Sequence, residues 1–119
     1  MRKHEELRVW QDAMSLVEMV YRHTDAMPEG ERFGLTAQMR RAAVSVPSNI
    51  AEGAARGSDA DFVRFLHMAR GSLSELDTQL QLAARLGFIE RAESANEQIQ
   101  LLFGQLGGLI RHLKTKQAK

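Results

Sequence analysis

Apolar residues recur with helical spacing along nearly the whole chain, and no stretch alternates with the period of two that marks a half-buried strand. In the first segment Leu7, Trp10, Met14, Val17 and Tyr21 fall at three- and four-residue steps. Val9, Ala13, Leu16 and Val20 form a second seam beside them. Two adjacent seams predict an apolar face wide enough for a bundle core, with Trp10 and Tyr21 inside it. Met27-Pro28-Glu29-Gly30 then breaks the helix.

A second segment starts between Phe33 and Thr36 and runs to about Arg56, with Leu35, Met39, Ala42, Ala43, Val46, Ile50 and Ala54 apolar. It contains Pro47, which cannot donate to the Ala43 carbonyl and pushes the preceding Val46 away from helical dihedrals. An interior proline costs a helix about 3 kcal/mol. The pattern allows a kinked helix or two short ones meeting at Ser45 to Pro47. The kink is favoured, because the periodicity continues without a slip.

Ser58, with Asp61 three residues on, reads as a capping box opening a third helix. Phe62, Leu66, Ala69, Leu73, Leu76, Leu80 and Ala83 then keep strict spacing, the strongest periodic signal in the chain. A neighbouring seam, Phe65, Met68, Ser72, Glu75, Gln79, Leu82 and Leu86, is apolar at both ends and polar in the middle. Gly87 followed by Phe88 has the form of a helix C-terminus. A fourth helix begins near Glu90 and repeats Ala92, Ala95, Ile99, Leu102, Leu106, Leu109 and Leu113. Gly104, Gly107 and Gly108 interrupt it at about 1 kcal/mol each, offset by close approach of another backbone or tolerated near a frayed end.

The expected fold is therefore all-α. Residues 1–119 form a single domain, an antiparallel up-down-up-down four-helix bundle with a Pro47 kink in helix 2 and a basic, frayed tail from about residue 114. Helices of this length extend about 30–40 Å.

Composition narrows the possible functions. The 119 residues are 44% hydrophobic and 26% charged, with no cysteine, so disulfides and thiolate metal sites are excluded. No apolar run nears the roughly 20 residues that span a bilayer, so no membrane partner is expected. The N-terminal MRKHEELRVW lacks the apolar stretch of a signal peptide, and a cytoplasmic location follows. Net charge is +1 and the pI about 8.2, short of a nucleic-acid footprint by charge alone. Arg111, Lys114, Lys116 and Lys119 nonetheless gather at the end without an acid; cations also suit a helix C-terminus.

Catalytic and cofactor chemistry is not written here. No glutamate is followed three residues later by histidine, so a carboxylate-bridged di-iron site lacks its ligand pairs. His4, His23, His67 and His112 are scattered one to a segment and read as surface histidines. No P-loop, nucleophile elbow or Gly-x-Gly-x-x-Gly occurs, and no cofactor or metal is expected. Glu52 and Glu75 are the two acids expected to point inward, as ion-pair partners of Arg40, Arg41 or Arg56 and not as an acid/base pair. The chain reads as a non-enzyme.

The informative stretch is Gln38 to Arg56. Gln38, Arg41, Ser45, Ser48 and Glu52, with Asn49 beside them, line one side of the proline-containing helix. They face water, or else they meet Ser72, Glu75 and Gln79 at a subunit contact or channel wall. The second reading is favoured, because both polar patches sit mid-helix beside Pro47 and Gly71.

The string Gln38-x-Arg40-Arg41-Ala42-x-x-Ser45-x-Pro47-Ser48-Asn49-Ile50-Ala51-Glu52-Gly53 resembles the four helix bundle protein family, also called the 23S rRNA intervening-sequence protein family. Val9-Trp10-Gln11 with Ala13, Phe33-Gly34-Leu35-Thr36, Phe62-x-x-Phe65-Leu66, Ala69-x-Gly71-Ser72-x-x-Glu75-Leu76 and Gly108-Leu109-Ile110-Arg111 extend the likeness over essentially the whole chain. Val46 stands where the family often has Ile, and Gly104 and Gly107 depart from its pattern. The resemblance implies a barrel-like homopentamer around a central channel, with no established catalytic residue. A related accessory variability protein of diversity-generating retroelements shares the fold and binds nucleic acid and a reverse transcriptase.

Two functions follow. In the first, an oligomer repeats phosphate contacts from Arg40, Arg41, Arg56, Arg64, Arg70, Arg111, Lys114 and Lys116, so the partner is RNA or DNA. In the second, the oligomer is a scaffold for a protein partner and the arginines are structural. Family analogy favours the first.

Overall fold

The computed structural model describes residues 3–90 and 93–117. Four helices carry nearly all of them: α1 (Arg8–Thr24), α2 (Leu35–Ala54), α3 (Asp59–Arg85) and α4 (Glu93–Gln117). Single 3-10 turns at Lys3–Glu6 and Glu29–Glu31 precede α1 and α2, and no strand occurs among the described residues.

Side-chain chemistry sets the helix ends. Ser58 is extended, and its hydroxyl accepts the Asp61 N–H at 3.1 Å, which caps α3 as its sequence announced. At the other end Gly87 takes φ +77°, the Phe88 N–H donates to the Ala83 carbonyl at 2.9 Å, and the Gly87 N–H donates to Ala84 at 3.0 Å. Those two bonds are a Schellman closure, and a side chain at residue 87 would strain it. A Glu31 carboxylate oxygen accepts the Leu35 N–H at 3.2 Å and satisfies a free donor at the start of α2.

Each helix has two neighbours. α1 packs on α2 and α4, α3 packs on α2 and α4, and the diagonal pairs do not meet. Ser45 meets Ser72, Gly53 meets Phe62 and Phe65, Lys116 meets Asp59, and Asp12 meets Gln105. The molecule is a rod of 51 × 22 × 21 Å, and the 27 residues of α3 run along most of it.

The strict seam of α3, Phe62 to Ala83, is buried throughout and forms the core with Leu16, Met39, Ile50, Leu102 and Leu106. On α1 the seam Val9, Ala13, Leu16 and Val20 is buried as well. The expected burial of the other α1 seam is corrected. Tyr21 and Met14 are each 42% exposed, and Trp10 and Val17 are only half-buried. With two neighbours a helix hides one face, and this seam falls at the outer edge of the α1–α2 groove. Arg40 covers Tyr21 there, its guanidinium carbon 4.5 Å from the ring centre.

Pro47 lies buried inside α2, which continues from Leu35 to Ala54, so the alternative of two short helices is not found. Burial of Val46, Pro47 and Ile50 offsets the lost hydrogen bond. α4 likewise continues through its glycines to Gln117.

Of the two explanations offered for Gly104, Gly107 and Gly108, close approach of another backbone is not found there. A Cβ on Gly104 would meet nothing within 4 Å, and one on Gly107 would meet only the Arg111 guanidinium. At Gly53, in contrast, a Cβ would sit 2.6 Å from Phe65 Cβ and 3.0 Å from Phe62 Cδ1. Gly53 is what lets the end of α2 press onto the start of α3.

Candidate functional site

The register of α2 against α3 joins the two polar patches read from the sequence. Gln38, Arg41 and Ser45 of α2 and Ser72 and Glu75 of α3 line one open pocket of about 180 Å³. Its floor is a chain of hydrogen bonds. The Asn49 side-chain amide donates to the Ser45 carbonyl at 2.9 Å and to the Ser45 hydroxyl at 3.0 Å, and the Ser45 and Ser72 hydroxyls bond at 2.7 Å. Ser45, Asn49 and Ser72 are half-buried, so the chain satisfies groups that water reaches poorly.

The remaining stripe residues separate from that pocket. Ser48 and Glu52 lie further along α2 and are exposed. Gln79 is buried, donates weakly to Glu75 at 3.4 Å, and keeps its carbonyl oxygen without a partner. The inward placement expected of Glu52 and Glu75 is corrected, since both are exposed in the single chain. Glu52 forms an i,i+4 pair with Arg56 at 3.4 Å. Glu75 and Arg41 line the same pocket without an ion pair. On α2, Gly53 takes the position against Phe62 and Phe65 of α3, which leaves the neighbouring Glu52 turned outward, while Glu75, on α3, lies at the open rim of the pocket.

Around this polar centre the same face is apolar. On α3 Met68 is 47% exposed at one end, and Leu82 and Leu86 are 45% and 54% exposed at the other. Phe33, just before α2, is 87% exposed.

The cations divide into those already engaged and those that are not. Arg40 donates to the Thr24 hydroxyl at 2.8 Å and to Asp25 at 3.2 Å while covering Tyr21, which ties α2 to α1. Arg56 and Arg64 both lie over the buried Phe65 ring, at 4.9 and 4.7 Å, and pair with Glu52 and Asp61. Lys116 pairs with Asp59 at 3.3 Å.

Arg70, Lys114 and Arg111 have no acidic partner among the described residues. Arg70 donates to Nδ1 of His67 at 2.8 Å, which leaves that nitrogen as the acceptor. The His67 pKa is held below 6.5 by desolvation first, then by the charges of Arg70 and Lys114. The sequence reading left His67 as a surface histidine. Its three-residue spacing to Arg70 was legible, but the approach of Lys114 from α4 was not. Arg111 lies one turn before Lys114, its guanidinium folded back over Gly107 and Gly108.

Among the described residues no helix is long and apolar enough to cross a membrane, and no three His, Asp or Glu side chains converge as a metal-binding group. Arg111, Lys114 and Arg70 thus gather positive charge without an ion pair among the described residues, on the side shared by the first half of α3 and the end of α4.

Comparison with known proteins agrees with the bundle. A crystal structure of a protein of unknown function from the S23 ribosomal protein family of Bacteroides thetaiotaomicron superposes with a TM-score of 0.64. The match covers 90% of this chain and 95% of that one at 22% identity, a likeness of fold. No curated protein matches. The family model described as 23S rRNA-intervening sequence protein matches residues 5–110, which takes in all of α1, α2 and α3, most of α4, the polar pocket and Arg70. On that match the chain belongs to the 23S rRNA-intervening sequence protein family.

Proposed function

We propose that this protein is a non-enzymatic accessory module that binds nucleic acid through its phosphates, acting as a homo-oligomer. One observation carries the reading: Arg70 bonds His67 on α3 and the charge of Lys114 on α4 acts on the same ring, with no ion pair to either cation among the described residues. Gathering like charges is unfavourable in an isolated protein and becomes favourable when a polyanion arrives. Arg111 extends the cluster by one turn of α4. No exposed aromatic stands beside these cations to stack on bases, so the contacts are to the backbone and carry little sequence information.

The apolar-edged face with the Gln38–Glu75 pocket at its centre supports self-association. Met68, Leu82 and Leu86 supply apolar anchors around polar groups that a second copy can engage. The count of five subunits comes from the family resemblance. Assembly would repeat the cationic cluster once per subunit and multiply modest affinity.

Fluorescence anisotropy on labelled structured RNA and on duplex DNA, titrated across salt, tests the binding. The expected result is salt-sensitive affinity, and replacing Arg70 and Lys114 by glutamine lowers the salt slope by about one contact each. Absence of binding at low salt would overturn the reading in favour of a protein-binding scaffold. For assembly, Glu75→Leu or Arg41→Glu is expected to lower the oligomer mass; an unchanged mass from both would remove the pocket from the interface.

A further inference from the structure

A second cavity, of about 280 Å³, lies between the later half of α3 and the start of α4, with His23 of α1 at its side. It is unrelated to the polar face and to the cationic cluster. Leu80, Ala84, Ile89, Ala95 and Ile99 give it an apolar wall. Asp77, Gln81, Arg85, Glu90, Asn96 and His23 place polar groups around it. An engineered cavity of about 150 Å³ holds benzene, and sites for drug-sized ligands begin near 300 Å³, so this space suits a compact molecule of one ring.

Asp77 on the rim gives the cavity its chemistry. The residue is half-buried, yet its carboxylate receives only the Gln81 side-chain amide, at 3.3 Å and on one oxygen. No ion pair reaches it from any described residue. Arg85, a cation on the same rim, is eight residues further along α3, so its backbone is about 12 Å along the helix, and it forms no ion pair with Asp77. Glu90 lies on the same rim. A carboxylate partly withdrawn from water beside an apolar wall lacks both full hydration and a counter-ion, and an ammonium group supplies both attraction and donors.

We infer that this cavity is a binding site for a small organic cation, a primary ammonium on a compact apolar body. The ammonium sits on Asp77 and the body lies against Leu80, Ala84 and Ile99. A carboxylate is disfavoured at the Asp77 end of the cavity.

Amide chemical-shift mapping with benzylamine, benzyl alcohol and phenylacetate at equal salt tests the site on the full chain. Benzylamine is expected to shift the amides around Asp77, Ala84 and Ile99 in a saturable way, about tenfold more tightly than benzyl alcohol. Asp77→Asn should abolish that preference while retaining the helical circular dichroism. Ala84→Leu, which fills the cavity without touching the carboxylate, should remove binding of both. Equal binding of the amine and the alcohol to the native chain would overturn the assignment. So would shifts elsewhere on the surface, or no saturable shift from any of the three.

Discussion

The hydroxyls of Ser45 and Ser72 lie 2.7 Å apart and join the middle of α2 to the middle of α3. Both residues belong to a polar stripe that the sequence displays, but their partnership spans two helices and is completed by Asn49. Either serine changed to alanine leaves the other hydroxyl half-buried with fewer partners, at an expected cost of about 1 kcal/mol. The double change should cost less than the sum, with a coupling of at least about 0.5 kcal/mol in urea denaturation at fixed protein concentration. Strict additivity would show that the bond contributes nothing to the α2–α3 contact.

Glycines in this protein are not equivalent. Gly53→Ala drives a methyl into Phe65 Cβ, an atom fixed to its own backbone, and should destabilise by about 1–3 kcal/mol. Gly104→Ala meets open space in a continuous helix and should stabilise by about 0.5–1 kcal/mol. Thermal denaturation of the two variants beside the native chain reads both signs.

Arg40 and Arg70 separate structural from ligand-facing arginines. Arg40→Gln loses the Thr24 bond and the Tyr21 contact, and is expected to cost about 1–2 kcal/mol of stability while leaving the salt slope of nucleic-acid binding unchanged. Arg70→Gln should leave stability nearly untouched and flatten that slope. The reverse pattern would assign the roles the other way.

His67 titrates below its ordinary value because of desolvation, Arg70 and Lys114, in that order. The unfolded chain therefore takes up the proton first as pH falls. Stability associated with this group is fully present above pH 6.5 and is lost as pH drops from there toward the lowered folded value. An NMR titration of the His67 ring should show the low midpoint, and Arg70→Gln or Lys114→Gln should raise it. Bound phosphates neutralise the same two cations and should raise it as well. A midpoint unmoved by either substitution would mean that the cations do not act on the ring.

The sequence by itself determined the helices and most of the core. The periodic seam of α3, the Ser58 cap and the Gly87 closure act over a few residues, through spacing and backbone conformation that neighbouring letters specify. Local rules could not say which of two α1 seams faces inward, since Tyr21 and Leu16 are equally periodic and only the arrangement of α2 and α4 around α1 chooses. They misplaced Glu52 for the same reason: a helix rotates as one body, and Gly53 against Phe65 sets the rotation of α2. Tertiary structure alone decided that Ser45 bonds Ser72, that Lys114 comes beside His67, and that Asp77 borders a cavity. Each of these joins residues of different helices, and such meetings depend on packing across the bundle and not on the order of residues along the chain.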